Sequence, residues 1–551
     1  MGKNKSRAVK NSTKLFFSGV LILTVANLLV KVIGLLFKIP MTGILGEEGM
    51  GYYNGAYQIY TVFFMISTAG LPVAVSILIS EARTRGQLKQ IKKIYRTTVT
   101  LFFIVGLVGM LAMLFGSGVF ANWLGSPDTN LCVLAIAPTL FFICISSTLR
   151  GYFQGFQQMA PTAISELIEA LCKLVLGVLF ATYAIDQGYP IHKVAAYGAI
   201  GLSIGAGLGM FYLCITKFFF RERRYTEEFL EVSGESEETL PRKAILKRII
   251  LIALPITLSA TVMSLTNLID TFIIQNLLQA NGATQAEATA IFGNYTSLAV
   301  PMFNLPPVLI YPISAAIVPL ISVARAQGDK KRCRNVMESS LKVAVLIGVP
   351  CGLGMSVLAK PILYMFYGGI KDADSVIANA TPLLQILAPT TIFVCLLSVS
   401  NAILQSCGKE RLPLVSMLAG AAVKLVTNYF LIQTIGMKGT PISTFLCYLT
   451  VICINFFFIC KYAEIVPNIK NVFLRPFACG LLCAAAALGA NILLGKFVSA
   501  SLATVGAIVA AGFVYLVSIF LLKAVTSDDI KLLPKGEKIY SLLSKIHLVR
   551  G

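Results

Sequence analysis

Runs of about 20 apolar residues recur along almost the whole of this 551-residue chain, and no other feature limits its fold so strongly. A membrane hydrocarbon core is roughly 30 Å thick and a helix rises about 1.5 Å per residue, so each run can span it. Continuous runs rich in Leu, Ile, Gly and Ala favour helices over the short alternating strands of a membrane barrel. The sequence therefore predicts an all-α polytopic membrane protein of about fourteen transmembrane helices. The predicted spans are 16–40, 52–80, 98–120, 131–150, 161–185, 194–216, 249–275, 291–322, 341–359, 380–405, 412–434, 439–460, 474–495 and 500–523.

Charge is scarce and unevenly placed. Hydrophobic residues make up 56% of the chain and charged residues 13%, and the formal net charge is +21. Most of the 46 Lys and Arg residues fall between spans on one side of the membrane, which the positive-inside rule assigns to the cytoplasm. We therefore expect a bacterial plasma-membrane protein with both termini in the cytoplasm and no nucleic-acid partner. The basic segment 81–96 is expected to orient the chain and to contact anionic lipids.

Cofactor chemistry has little support in the sequence. The 13 cysteines lie mostly within apolar runs, no CxxC pair occurs, and the only histidines are His192 and His547. This pattern predicts neither a zinc site nor a disulfide framework. We expect no cofactor, and the sequence leaves open whether sodium, protons or the membrane potential drives any transport.

The chain contains an internal repeat. Residues 79–86 resemble residues 321–328, and the same spacing of 242 relates two further pairs of identical residues. A spacing of 251 relates 137–139 to 388–390 and 173–175 to 424–426. The identical pairs are Gly51 with Gly293, Tyr53 with Tyr295 and, at the second spacing, Gln154 with Gln405. Ordered matches across several spans indicate duplication.

The repeat predicts the domain organisation. Because it covers six spans, an even number, the two halves have the same orientation and are parallel repeats. Two six-helix lobes around a midplane cavity, rocking to give alternating access, are typical of transporters. The predicted divisions are an N-lobe 1–216, a charged linker 217–248, a C-lobe 249–462, a terminal helix pair 463–523 and a tail 524–551.

Ionisable residues within the spans are candidate site residues, because a charge at mid-bilayer costs at least about 2.5 kcal/mol. Lys31 and Lys38 lie seven residues apart in the first span and therefore share a helix face. Both are predicted to line the cavity, although Lys38 alternatively extends to the outer headgroups.

The fifth and eleventh spans carry further candidates. Glu166, Glu169 and Lys173 share one face of the fifth span, where they form either a structural ion pair or part of the substrate path. Lys424, at the position equivalent to Lys173, is followed one turn later by Asn428. We predict that Lys31, Lys38, Glu169, Lys173, Lys424 and Asn428 bind substrate, with the lysines converging between the lobes.

The seventh and eighth spans suggest ion binding and gating. Asp270, with Asn267 one turn earlier, is predicted to bind a cation or to pair with a lysine. Five prolines fall in the eighth span and predict a break in this helix, with Pro306 and Pro307 at a gate. The five are Pro301, Pro306, Pro307, Pro312 and Pro319.

Four strings resemble the polysaccharide-transporter branch of the MOP exporter superfamily. They are KIP at 38–40, LGEEG at 45–49, STAGLPVA at 67–74 and RGYFQG at 150–155. This branch includes the stage V sporulation protein B group and is related to lipid II flippases and MATE exporters. The resemblance covers nearly the whole chain.

The resemblance implies a function. It implies that the chain moves an undecaprenyl-pyrophosphate glycan, such as the peptidoglycan precursor lipid II, from the inner to the outer leaflet, in growth or sporulation. Relatives carry arginine at the positions of Lys31, Lys38 and Lys173. At the position of Glu166 they often carry an uncharged residue. The lysine ammonium is a compact charge, whereas the arginine guanidinium can donate two parallel hydrogen bonds to a phosphate. Lysines at these positions would therefore select the geometry of the phosphate less strictly.

Two other classes of membrane protein provide alternative functions for this chain. A MATE-type cation-coupled drug exporter would favour carboxylates over lysines in the first lobe. A membrane-embedded glycan polymerase or ligase would need catalytic residues in large external loops, whereas the external loops here are short. We therefore expect a transporter rather than an enzyme, acting as a monomer on a lipid-linked oligosaccharide.

Overall fold

The structure is a computed structural model that describes residues 2–222, 239–370, 372–409, 411–462 and 468–525. Helices joined by short turns account for these residues, and no strand occurs among them. Half of the predicted linker and all but the first two residues of the predicted tail fall outside the described residues. By its contacts the chain divides into two compact units, Met1–Gln279 with Ala283–Gly293, and Ala280–Gly282 with Asn294–Gly551.

In its described residues the first unit contains eight α-helices and one short 3-10 turn, Pro127–Thr129. Its first helix, α1, is 67 residues long and is broken at Gly46, whose φ of 64° is non-helical. The helices are α1 (Gly2–Thr68), α2 (Leu71–Thr84), α3 (Leu88–Trp123), α4 (Asn130–Gly155), α5 (Ala160–Asp186), α6 (Ile191–Phe219), α7 (Arg242–Ala280) and α8 (Gln285–Asn294), the last two ending within one residue of the unit's limits.

In its described residues the second unit continues with ten α-helices and two short π-helical turns. The π-helical turns are Tyr295–Ala299 and Lys470–Leu474. The helices are α9 (Val300–Phe303), α10 (Pro307–Ala326), α11 (Lys330–Val357), α12 (Ala359–Tyr367), α13 (Ala373–Leu387), α14 (Thr390–Ser406), α15 (Leu412–Ile435), α16 (Gly439–Tyr462), α17 (Arg475–Leu494) and α18 (Ala500–Leu521).

All fourteen predicted spans coincide with helical segments, and the prediction of an all-α fold is confirmed. In the described residues nine helical stretches are long and apolar enough to cross a membrane, or ten if the bent pair α13 and α14 is one span. Two of the nine, Ile22–Thr84 and Leu412–Tyr462, each overlap two predicted spans. The exact number of crossings stays a prediction.

Large apolar side chains lie on the outside of the bundle. Phe115 is 84% exposed and Phe513 is 69% exposed. Water would make such a surface prone to association, whereas lipid tails solvate it. This distribution is that of a protein whose main solvent is hydrocarbon.

The predicted break in the eighth span is present. A π-helical turn ends at Ala299, the four-residue α9 follows, and a turn over 304–306 separates it from α10. Pro306 and Pro307 are buried at this break. Proline lacks the amide donor that would continue the helix, which explains the interruption.

The repeat extends to the hydrogen bonds of the turns. The amide of Gln87 donates to the carbonyl of Ala82, and 242 residues later the amide of Asp329 donates to the carbonyl of Ala324. A glycine with positive φ, Gly86 or Gly328, precedes the donor in each case. This is the Schellman ending of a helix, in which glycine adopts the left-handed conformation. Identical turns at the repeat spacing support the predicted duplication.

Two glycines related by the repeat pack against each other within the first unit. A side chain on Gly51 would collide with the carbonyl oxygen of Thr289, and one on Gly293 with the carbonyl oxygen of Glu47. Thr289 lies 242 residues after Glu47, just as Gly293 lies 242 residues after Gly51. The contact is therefore reciprocal, as in a two-fold interface.

We expect Gly51→Ala and Gly293→Ala each to lower the free energy of unfolding by about 1–3 kcal/mol, because the methyl group must displace a backbone carbonyl. Gly34→Ala is the matched control, since no atom lies within 4 Å of the position that its new methyl group would take. Thermal unfolding of the detergent-purified chain measures the difference. Equal stability of Gly51→Ala and Gly34→Ala would show that the close approach is not required.

Candidate substrate-binding site

Lys173, midway along α5, lies in a group of aromatic rings on α1. Its ammonium nitrogen lies 4.7 Å from the ring centroid of Phe37, 5.0 Å from that of Tyr57 and 5.8 Å from that of Tyr53. Such cation–π contacts contribute about 0.5–2 kcal/mol each, depending on desolvation. The rings hold the ammonium group in place without cancelling its charge.

Two other predicted lysines lie close to Lys173. Both belong to α1, the helix whose rings contact Lys173: Lys38 directly follows Phe37, and Lys31 precedes Phe37 by six residues. Lys31 is exposed and Lys38 is half-buried. The structure thus brings together three of the six predicted substrate residues. Three like charges repel one another, so an anion placed among them would be stabilised.

Glu169 forms an ion pair with Arg150 of α4 rather than with Lys173. The guanidinium of Arg150 donates to Glu169 Oε1 at 2.5 Å and to Ser165 Oγ at 3.1 Å. A second carboxylate, Glu166, lies 3.8 Å from the same guanidinium. The structure therefore shows an ion pair that joins α4 to α5, with a partner that sequence reasoning missed, and the substrate-path role of Glu169 stays a prediction.

The packing around Glu169 explains this choice of partner. A short turn over 156–159 joins α4 to α5, so the residues of the two helices that flank this turn lie near each other. Arg150 precedes the end of α4 by five residues and Ser165 follows the start of α5 by five. A methyl group on Gly209 of α6 would lie 2.9 Å from the Glu169 carboxylate. The glycine therefore makes room for this side chain between α4, α5 and α6.

In the second unit, Lys424 and Asn428 are buried on α15, with exposures of 8% and 0%. Tyr448 of α16 interacts electrostatically with Lys424 and also with Tyr295. Tyr295 is the repeat equivalent of Tyr53, and Lys424 is that of Lys173. The repeat therefore assigns an equivalent lysine and an equivalent tyrosine to each unit.

The residues predicted for ion binding and gating lie elsewhere. Asp270 is buried and Asn267 is exposed on α7 in the first unit, whereas Pro306 and Pro307 lie in the second. Within the described residues, no group of three or more His, Cys, Asp or Glu side chains has the arrangement of a metal site. The cation and gating roles of these four residues stay predictions.

Comparison with known proteins establishes the family. The model of the family described as "Polysaccharide biosynthesis protein" matches residues 16–324, more than half of the chain. The chain belongs to this family. The MatE family model also matches, over residues 255–430.

Two proteins of Bacillus subtilis (strain 168) are similar to this chain over most of its length. Stage V sporulation protein B is 25% identical over 525 residues, which are 94% of this chain and 98% of that protein. Lipid II flippase MurJ is 25% identical over 456 residues, which are 81% of this chain and 82% of that protein. The resemblance inferred from the four strings is confirmed.

Solved structures show the same fold. A lipid II flippase MurJ in an inward closed conformation matches with a TM-score of 0.71 and 15% identity, over 91% of this chain and 98% of that one. An inward-facing MATE family transporter of the MOP superfamily matches with a TM-score of 0.66 and 17% identity, over 79% and 94%. This polysaccharide biosynthesis family member therefore has the MOP superfamily fold.

Proposed function

We propose that the protein moves a polyprenyl-pyrophosphate glycan from the inner to the outer leaflet of the plasma membrane by alternating access. The contact of Lys173 with the ring of Phe37, which directly precedes Lys38 on the helix that also carries Lys31, carries this proposal. A pyrophosphate is an anion, and three neighbouring cations attract it strongly where the local dielectric constant is low. The polyprenyl tail can stay in the lipid while the headgroup passes.

Relatives support the same class of cargo. One of them is a lipid II flippase, and the family is that of polysaccharide biosynthesis proteins. Lipid II is thus the first substrate to test. The relatives include a flippase and a transporter, which favours a transport function over that of a membrane-embedded enzyme.

A drug exporter of the MATE type is the second candidate, and the MatE family match over 255–430 favours it. Such a pump would need an available carboxylate to bind a cationic drug. In the first unit, Glu169 is held by Arg150 at 2.5 Å, whereas the ammonium of Lys173 faces aromatic rings. The charge of this region therefore suits an anion better than a cation.

Reconstitution into vesicles with defined lipids tests the proposal. We expect protein-dependent movement of a labelled polyprenyl-pyrophosphate sugar, detected by trapping it with an enzyme added on one side. The same assay is run with lipid II, with a monosaccharide pyrophosphate lipid and with a cationic dye. The rates of movement of the three compounds show which class of cargo the protein prefers. Dye export without movement of any pyrophosphate lipid would contradict the proposal and favour the drug exporter.

A further inference from the structure

A compact charged cluster joins α4 to α5 beside the lysine site. Arg150 contributes one positive charge, and Glu166 and Glu169 contribute two carboxylates to it. The side chains of Arg150 and Glu169 are 13% and 17% exposed, so water screens them little. With both carboxylates ionised, the cluster would carry a net negative charge in a region of low dielectric constant.

The two carboxylates are not equivalent. Glu169 Oε1 accepts a charge-assisted hydrogen bond at 2.5 Å from the guanidinium, whereas Glu166 Oε1 lies 3.8 Å away, beyond hydrogen-bond range. The second oxygen of Glu166, Oε2, is buried and has no hydrogen-bond partner. One turn earlier, on the same face of α5, the hydroxyl of the 1%-exposed Thr162 is also buried without a partner. Buried oxygens without a hydrogen-bond partner are rare in folded proteins and require an explanation, and a bound proton is one.

We propose that Glu166 and Arg150, with Glu169, form a proton-binding site in which Glu166 carries the proton. Two carboxylates that share one counter-charge cannot both ionise without a large electrostatic penalty. Glu169 has the stronger contact with Arg150 and stays ionised, so the proton belongs on Glu166. The charged and titratable groups that interact with the pair are Arg150 on α4 and Tyr60 on α1, while α6 presents Gly205 and Gly209 to Glu169.

A metal cation is a poor occupant of this site. The guanidinium of Arg150 lies within 3.8 Å of an oxygen of each carboxylate and would repel a second cation. A proton adds no bulk and neutralises the oxygen that has no partner. The side chain of Glu166 is 23% exposed, which gives the proton a route to leave or enter.

Gain or loss of this proton changes the charge of the α4–α5 cluster by one unit. Deprotonated Glu166 would compete with Glu169 for Arg150 and so alter the contact that joins α4 to α5. The helix α5 also carries Lys173, one turn beyond Glu169. The site thus provides a proton-dependent element beside the lysines, and its existence does not depend on which cargo the protein carries.

Infrared difference spectroscopy of the purified full-length chain at neutral pH tests the proposal. We expect a protonated-carboxyl band that shifts in deuterated buffer, is lost in Glu166→Gln and persists in Glu338→Gln, an ion-paired carboxylate of α11. The same band in the wild type and in Glu166→Gln would overturn the proposal. Because this readout involves no transport, it stands apart from a failure of the proposed function.

A second measurement needs no variant. A hydrophobic carbodiimide reacts with protonated carboxyl groups, and mass spectrometry of peptides locates the adduct. We expect labelling of Glu166 rather than Glu169, decreasing as the pH rises. Labelling of Glu169 instead, or protection of Glu166 by sodium ions at constant pH, would overturn the assignment of a proton to Glu166. If Glu166→Gln does not fold, this measurement on the wild type decides.

Discussion

Lys173→Met is expected to weaken the apparent affinity for a pyrophosphate-linked lipid about 10- to 100-fold, because a hydrogen bond to a charged group contributes about 1.5–3 kcal/mol. Methionine keeps the length and the contacts with Phe37 and Tyr57 but removes the charge. The affinity is measured from the dependence of the initial transport rate on lipid concentration in vesicles. Lys31→Ala should act in the same direction and abolish movement of the lipid, because it removes another of the three neighbouring cations.

Lys360→Met is a matched control for Lys173→Met. The ammonium of Lys360 also lies over an aromatic ring, 5.8 Å from the ring centroid of Tyr364, but it is exposed on the short helix α12. Its loss should leave the affinity unchanged. Unaltered transport by Lys173→Met at normal expression would remove Lys173 from the binding site and leave the proposed cargo without its main structural support.

The helices of this protein could be predicted from the sequence because the rule behind them is local. Twenty apolar residues in lipid must satisfy their own backbone hydrogen bonds, and a helix does so without help from distant residues. The break in the eighth span was predictable for the same reason, since Pro306 and Pro307 act on their own turn. The division into compact units was harder to place, because α7 contacts residues far from it in sequence.

One such contact shows what the sequence leaves undetermined. Arg248 of α7 donates to Glu81 of α2 at 2.8 Å, and the amide of Gly70 donates to Thr257 Oγ1. These pairs are separated by 167 and 187 residues. The repeat relates equivalent helices but does not say which neighbours each of them will contact.

The site was predictable in part. Helical spacing puts Lys31 and Lys38 on one face, yet their approach to Lys173 depends on how α5 is rotated against α1, which no local pattern specifies. The pairing of Glu169 with Arg150 was also missed, although a signal was present. Arg150 and Ser165 each lie five residues from the short turn over 156–159 that joins α4 to α5, and this shared nearness to the turn would have favoured Arg150 as the partner of the α5 carboxylates.

Arg150→Ala is expected to lower the free energy of unfolding by about 3–5 kcal/mol, because removing one partner of a buried ion pair leaves charge without compensation. The guanidinium donates to Glu169 and to Ser165, so the variant removes the counter-charge of Glu169 and a hydrogen bond of Ser165 together. Titration of the purified chain with a denaturing detergent measures the loss. Arg334→Ala is the matched control, since its pair with Glu338 is exposed and should contribute at most about 0.5 kcal/mol.

A triple variant separates the two roles that the sequence leaves open for Glu169. Replacing both carboxylates by glutamine in the Arg150→Ala background removes the uncompensated charge and should restore at least half of the lost stability. If Glu169 only joins α4 to α5, this variant should recover transport together with stability, because α5 again holds Lys173 in place. Recovered stability without transport would instead assign Glu169 to the substrate path. If Arg150→Ala has the same free energy of unfolding as Arg334→Ala, the structural role of the ion pair is refuted.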